Sequence, residues 1–248
     1  VLRLAQRLAA SAGRRLDEAS PFVDARLTGG TRLHAVIPPI STSGTSLSLR
    51  IPRRTAFTMP DLIRTGTVCE LGATWLEEII RARVAFLITG ATGSGKTTIL
   101  NTLLGLVRQD ERLVVVEDSG ELRPAHPHVV TLEARPANLE GAGMVTMRDL
   151  VRQALRMRPD RVVVGEVRGA EVVDLLAALN TGHEGGCGTV HANSPADLPA
   201  RLEALGMMAS LPRDAVHSLA ASSLHACIHV ARTTRGRRII GIDVVRQR

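Results

Sequence analysis

Hydrophobic spacing changes character along the chain, and each change marks an element. Leu2, Leu4, Leu8 and Leu16 recur among arginines over residues 1–16, the pattern of an amphipathic helix. The period then drops to two. Val23, Ala25 and Leu27 alternate with polar neighbours, Thr28-Gly29-Gly30 offers a turn, and residues 32–37 return, which predicts a hairpin. Pro38-Pro39 and the polar run 41–46 break it, and Leu47, Leu49 and Ile51 alternate as a third strand. Pro60 opens a short helix, and residues 71–83 suit a second helix bridging two domains.

From Val84 onward, short apolar runs alternate with helical segments. Strands are expected at 84–89, 113–116, 129–132, 161–164 and 188–191. Helices are expected at 97–107, 147–157 and 170–179, with another starting at Ser194-Pro195. Thr146 with Asp149 three residues on is a capping-box signal. This strand–helix alternation predicts a mostly parallel sheet covered on both faces, closed by a hairpin of 224–231 and 239–245 around Arg235-Gly236. The predicted organisation is a partial small α+β domain at 1–65, a linker helix at 66–83 and an α/β domain at 84–248.

At 248 residues, the chain has room for one or two domains with their own cores. Its 44% hydrophobic and 22% charged residues exclude a disordered or fibrous chain. No apolar run approaches the ~18 residues of a membrane span. The first residue is Val1 and not Met, so the chain reads as a piece of something longer, with an upstream targeting segment left open. Cys69, Cys187 and Cys227 form no C-x-x-C pair, which suits a reducing compartment.

Charge sharpens the picture at one position. The net charge is +7, yet of the 31 basic residues only Lys96 is a lysine. Arginine replaces lysine freely on a solvated surface but not where a compact ammonium on a flexible stem is needed. Lys96 lies in Gly90-Ala91-Thr92-Gly93-Ser94-Gly95-Lys96-Thr97, a G-x-x-x-x-G-K-T motif between a predicted strand and helix, with Thr98 following. There, glycines let successive N–H groups face one anion, the lysine reaches the β- and γ-phosphates, and the Thr97 hydroxyl ligates Mg²⁺.

Acids end two apolar strands. Val162-Val163-Val164-Gly165-Glu166 brings Glu166 to the expected ligand edge, where it would deprotonate or orient water. Gly165 stands where a metal-facing Asp is usual. Glu117 and Asp118, with Glu121, end the strand at 113–116 and would manage Mg²⁺ and water. His183 and His191 bracket a further strand, and both are expected on the crevice side, holding a phosphate or a carboxylate. His225, Cys227 and His229 alternate as a metal set would, but the spacing also fits an outward strand face. His126-Pro127-His128 reads as a loop without ligand chemistry.

Four stretches, GATGSGKTT (90–98), VEDSGELRP (116–124), ALRMRPDRVVVGEVRGAE (154–171) and TGHEGGCGTVHANSP (181–195), together resemble the secretion ATPases of type II and type IV secretion and Tad/Flp pilus assembly. They stand for that family's Walker A, Asp box, Walker B and His box, and VDARLTGGTRLHAVIPP (23–39) extends the similarity over roughly 20–248. Gly165 agrees with the family's G-E form of Walker B. Met144 departs from it, standing where many relatives carry an acid.

The resemblance implies a RecA-like P-loop NTPase domain behind a small α+β domain, ATP and Mg²⁺ as cofactors, and a homohexamer at the inner face of the cytoplasmic membrane. It implies secretion or pilus platform proteins as partners and no stable nucleic-acid partner. It also implies arginines that sense the γ-phosphate, with Arg32, Arg50, Arg54, Arg156 and Arg158 as candidates. The rival reading is a helicase-like nucleic-acid motor, which would need stacking aromatics; three Phe, one Trp and no Tyr supply few.

Overall fold

The computed structural model describes residues 1–51, 56–135, 137 and 142–245. Its contacts divide the chain into two compact units, Val1–Thr55 and Ala56–Arg248.

In the smaller unit, α1 (Leu2–Ser11) is followed by β1 (Phe22–Arg26), β2 (Arg32–Val36) and β3 (Ser46–Arg50). The three strands form an antiparallel sheet in chain order. Alternation buries Val23, Ala25, Leu33 and Ala35 against Ala5 and Ala9 of the helix, leaving the other face mainly polar apart from Phe22 and Val36 at its end. Arg26, Arg32 and Arg50 are register partners across the three strands and so share that open face.

The larger unit opens with α2 (Met59–Arg64) and α3 (Glu70–Arg81). A capping box of Thr58 and Asp61 with Pro60 starts α2. Met59, Leu62, Leu76 and Ile80 pack into the same cluster as Phe86, Ile88 and Leu100. Residues 56–83 are therefore part of the larger unit's apolar cover and not a separate linker, and the boundary falls at 55/56 instead of 65.

Seven strands follow: β4 (Phe86–Thr89), β5 (Leu113–Glu117), β6 (Val129–Glu133), β7 (Arg161–Val167), β8 (Cys187–Val190), β9 (Ala226–Thr233) and β10 (Gly236–Val244). Their order in the sheet is β10-β9-β4-β8-β7-β5-β6, parallel except for β10. The runs LVVVE and RVVVGEV read as unbroken apolar strands because both faces are covered. On one face lie α2, α3 and α4 (Lys96–Leu104); on the other lie α5 (Met147–Arg156), α6 (Glu171–Asn180), α7 (Leu198–Met207) and α8 (Arg213–Ser223).

Two sequence expectations change here. The helix α8 carries little apolar pattern, with only Val216 and Ser223 buried, and the sequence reading did not find it. Cys227 and His229 lie under the second helical layer, 3% and 2% exposed, so they do not form an outward face. His225 precedes β9 and is exposed, and among the described residues no group of His, Cys, Asp and Glu could hold a metal.

Candidate active site

Parallel strands gather their C-terminal ends at one edge, and the chain between β4 and α4 turns there. Gly90 has φ +149°, and a Cβ on it would lie 2.2 Å from the Val230 carbonyl oxygen of β9, so only glycine fits. Gly95 caps α4 at φ +107° and offers no side-chain acceptor, which leaves the N–H groups and positive dipole end of that helix to a ligand. Ser94 is buried, and its Oγ has no partner. An uncapped nine-residue helix beside an orphaned buried hydroxyl is the donor set a phosphate fits. Ala91, Thr92 and Gly93 stay exposed at the turn, and Thr97 and Thr98 are half-buried in the first turn of α4.

Lys96 is 6% exposed and curls back over the loop. Its Nζ donates to the carbonyl oxygens of Gly90 at 2.8 Å and Ala91 at 3.1 Å, and lies 3.3 Å from His191 Nδ1. Burial pushes its pKa down, opposed by the nearby Glu166 carboxylate. His191, directly after β8, contacts Glu166 through Nε2. Burial and Lys96 hold the His191 pKa down, so the imidazole favours its neutral form.

The second oxygen of Glu166 accepts from Arg168 Nη2 at 2.6 Å, and Arg168 Nη1 reaches Asp118 at 2.8 Å. Burial works against the Glu166 charge, but Arg168, His191 and Lys96 outweigh it and keep the carboxyl below its usual range. Lys96, His191, Glu166, Arg168 and Asp118 thus form one polar chain along the carboxyl edge.

Glu117 lies in the space a side chain at Gly165 would need: a Cβ there would meet Glu117 Cγ at 2.6 Å. Its carboxylate accepts from the N–H groups of Glu121 at 3.0 Å and Leu122 at 3.0 Å. Desolvation nevertheless pushes its pKa to about 7.

His183 is not at this edge. Residues 181–186 precede β8, and Gly186 O accepts from Phe86 N at the start of β4, so His183 lies at the opposite end of the strands, about 13 Å away at ~3.3 Å per residue. Arg156 and Arg158 precede β7 and share that far edge, out of reach of this chain's own loop. Arg32 and Arg50 sit side by side in the smaller unit, and Arg54 lies outside the described residues.

Sequence reasoning missed Arg168 and Arg237. Arg168 had a signal, standing two residues past Glu166 at a strand end. Arg237 had none, because 144 positions separate it from Gly93, whose carbonyl accepts from its Nε at 3.0 Å. Arg237, Phe57, Leu62, Thr65, Thr98 and Ile99 line a cleft of about 250 Å³ beside the loop.

A phosphate-cradling loop on a parallel sheet, with a lysine, an acid and a neutral histidine at the same edge, defines a P-loop nucleotide site. The family model for type II/IV secretion system proteins matches residues 1–243, and the chain belongs to that family of secretion ATPases. It is 58% identical over 254 residues to a Mycobacterium tuberculosis protein described as a conjugal transfer protein, covering 100% of this chain and 72% of the relative. It is 32% identical to the conjugal transfer protein TrbB of Rhizobium radiobacter, covering 90% and 67%. Among solved structures, the VirB11 ATPase of the Brucella suis type IV secretion system, in complex with sulphate, superposes with a TM-score of 0.63 at 26% identity, covering 98% and 82%. The pilus retraction motor PilT with bound ADP shares the fold at a TM-score of 0.65 and 22% identity, covering 92% and 63%.

Proposed function

We propose that this chain is the Mg²⁺-dependent, ATP-hydrolysing motor of a secretion or Tad/Flp-type pilus machine. The observation that carries the reading is the meeting of Lys96, His191 and Glu166 beside the uncapped start of α4. The α4 N–H groups and the Ser94 hydroxyl hold the β-phosphate, and Lys96 leaves the Gly90 and Ala91 carbonyls to pair with the γ-phosphate. Thr97, Glu117 and Asp118 would hold Mg²⁺. Bound there, the metal would neutralise charge on the phosphates. Glu166 takes the proton of the attacking water, and neutral His191 keeps that carboxylate aimed. The cleft beside Arg237 suits the base and ribose.

In its working form the chain would be a homohexamer on the cytoplasmic face of the inner membrane, held there by platform proteins. No helix among the described residues is long and apolar enough to cross a membrane.

The test compares Lys96→Ala with Glu166→Gln. Lys96→Ala should abolish phosphate release with the melting temperature little changed, and Lys96→Arg should not rescue it, since a planar fork cannot replace a point charge. Glu166→Gln should bind ATP normally and turn over ~10²-fold more slowly. Unimpaired hydrolysis in both variants would end the reading.

A further inference from the structure

Where β7 runs beside β8, Val164 pairs with Gly188 but Val167 pairs with Val190, so β7 carries one residue more than its neighbour between those points. The extra length is a bulge at Gly165-Glu166. A bulge takes a residue out of the ladder, bends the strand and re-aims the side chain beside it. Here the re-aimed side chain is Glu166. Its half-buried carboxylate meets His191 and Arg168, while its neighbours Val164 and Val167 point into the apolar core.

A bulge also leaves backbone groups without ladder partners, and a buried orphan carbonyl is costly. Thr189 of β8 is 1% exposed, and its Oγ1 donates to the Gly165 carbonyl oxygen at 2.7 Å. On its other side, Gly165 has no Cβ because the Glu117 side chain fills that space. The peptide that sets the direction of Glu166 is thus held from both flanks, by a hydroxyl from β8 and by the packed Glu117 chain from β5. Thr189 is not among the hydrogen-bond partners of Lys96, which are Gly90, Ala91 and His191, and Ser94 Oγ has none.

We propose that Thr189 is a positioning residue for hydrolysis: its hydroxyl locks the β7 bulge and so holds Glu166 in line with the attacking water. This rests on the role given to Glu166 above. Valine has nearly the same shape as threonine and lacks the donor, while serine keeps the donor and loses a methyl group.

The experiment measures phosphate release and, separately, binding of a fluorescent ADP analogue by the full chain and its variants. Thr189→Val should lower kcat about tenfold with the ADP-analogue Kd within about twofold of the parent, and Thr189→Ser should restore kcat to within about threefold. In the Glu166→Gln background, adding Thr189→Val should cost no further turnover, because a residue acting only through Glu166 has nothing left to position. Should Thr189→Val not fold, Thr189→Ala against Thr189→Ser makes the same comparison of donor lost and donor kept.

Full turnover in Thr189→Val, equal losses in the serine and valine variants, or a parallel loss of nucleotide binding would each overturn the proposal. So would an additional loss in the Glu166→Gln background. Full turnover in Glu166→Gln alone would instead remove the reading of Glu166, and that result is separable from all of these.

Discussion

At the N-terminal edge of the parallel sheet, Arg161 and Glu111 are 1% and 3% exposed and joined at 2.8 Å. Arg161 Nη2 also donates to the Ile80 carbonyl at 2.8 Å, and its guanidinium lies so close to Gly185 that a Cβ there would meet Nη1 at 2.7 Å. At the carboxyl edge, the chain from Lys96 to Asp118 uses the same kinds of group, yet its members stay 19–58% exposed from His191 outward. The first network is buried apart from Arg83 at its rim and is anchored to backbone; the second runs mainly between side chains and faces water. Both contain strong pairs, and the difference lies in what each leaves over. A closed network serves the fold, whereas an open one keeps charge available to a ligand.

The sharpest way to test that contrast is to break the closed network. Arg161→Leu leaves the buried Glu111 with the half-exposed Arg83 at 3.4 Å as its remaining ion-pair partner and should cost about 3 kcal/mol in urea denaturation. Whatever fraction stays folded should keep the parent's KM. A small stability loss with a large KM change would reverse the roles assigned to the two edges.

Glu117 is the intermediate case, buried at the open edge. Its folded pKa of about 7 lies above the ordinary 4.5, so the folded state holds its proton more tightly than the unfolded one. Stability from this group therefore falls as pH rises from about 4.5 to about 7, and above that the full penalty remains, up to about 3 kcal/mol. Glu117→Gln removes it. In EDTA the variant's advantage over the parent, read by thermal or urea unfolding, should grow from pH 5 to pH 8. A constant difference would show that Glu117 is not strained by burial.

The smallest effect is expected at His183. Placed at the closed edge, His183→Ala should change turnover by less than about twofold. A tenfold loss would mean that this loop does reach a phosphate, and the division between the edges would fail.

Much of this was legible in the sequence because local rules decide it. The glycine spacing around Lys96 and the unbroken valine runs at 113–116 and 162–164 have few alternative structures. The misplacement of His183 has a geometric cause: the motif 181–191 spans a whole strand, so its two histidines end at opposite edges. His229 and Cys227 looked outward because alternation reports a half-buried strand, and β9 is covered on both faces. Arg237 and the Glu117–Gly165 contact depend on strand order, which no spacing in the sequence encodes.

The close approach of Gly90 to Val230 has a consequence for how the protein is made. The glycine loop leaves the ribosome before the ribbon that backs it, by 144 positions in the case of Gly93 and Arg237. Until that ribbon docks on β4, the loop lacks one wall, and a nascent chain would hold the complete motif without a finished pocket. Such distant pairing slows folding. Nucleotide affinity in this chain is therefore a readout of a docked β9–β10 hairpin, and ligand added during translation should engage only molecules in which that hairpin has joined the sheet.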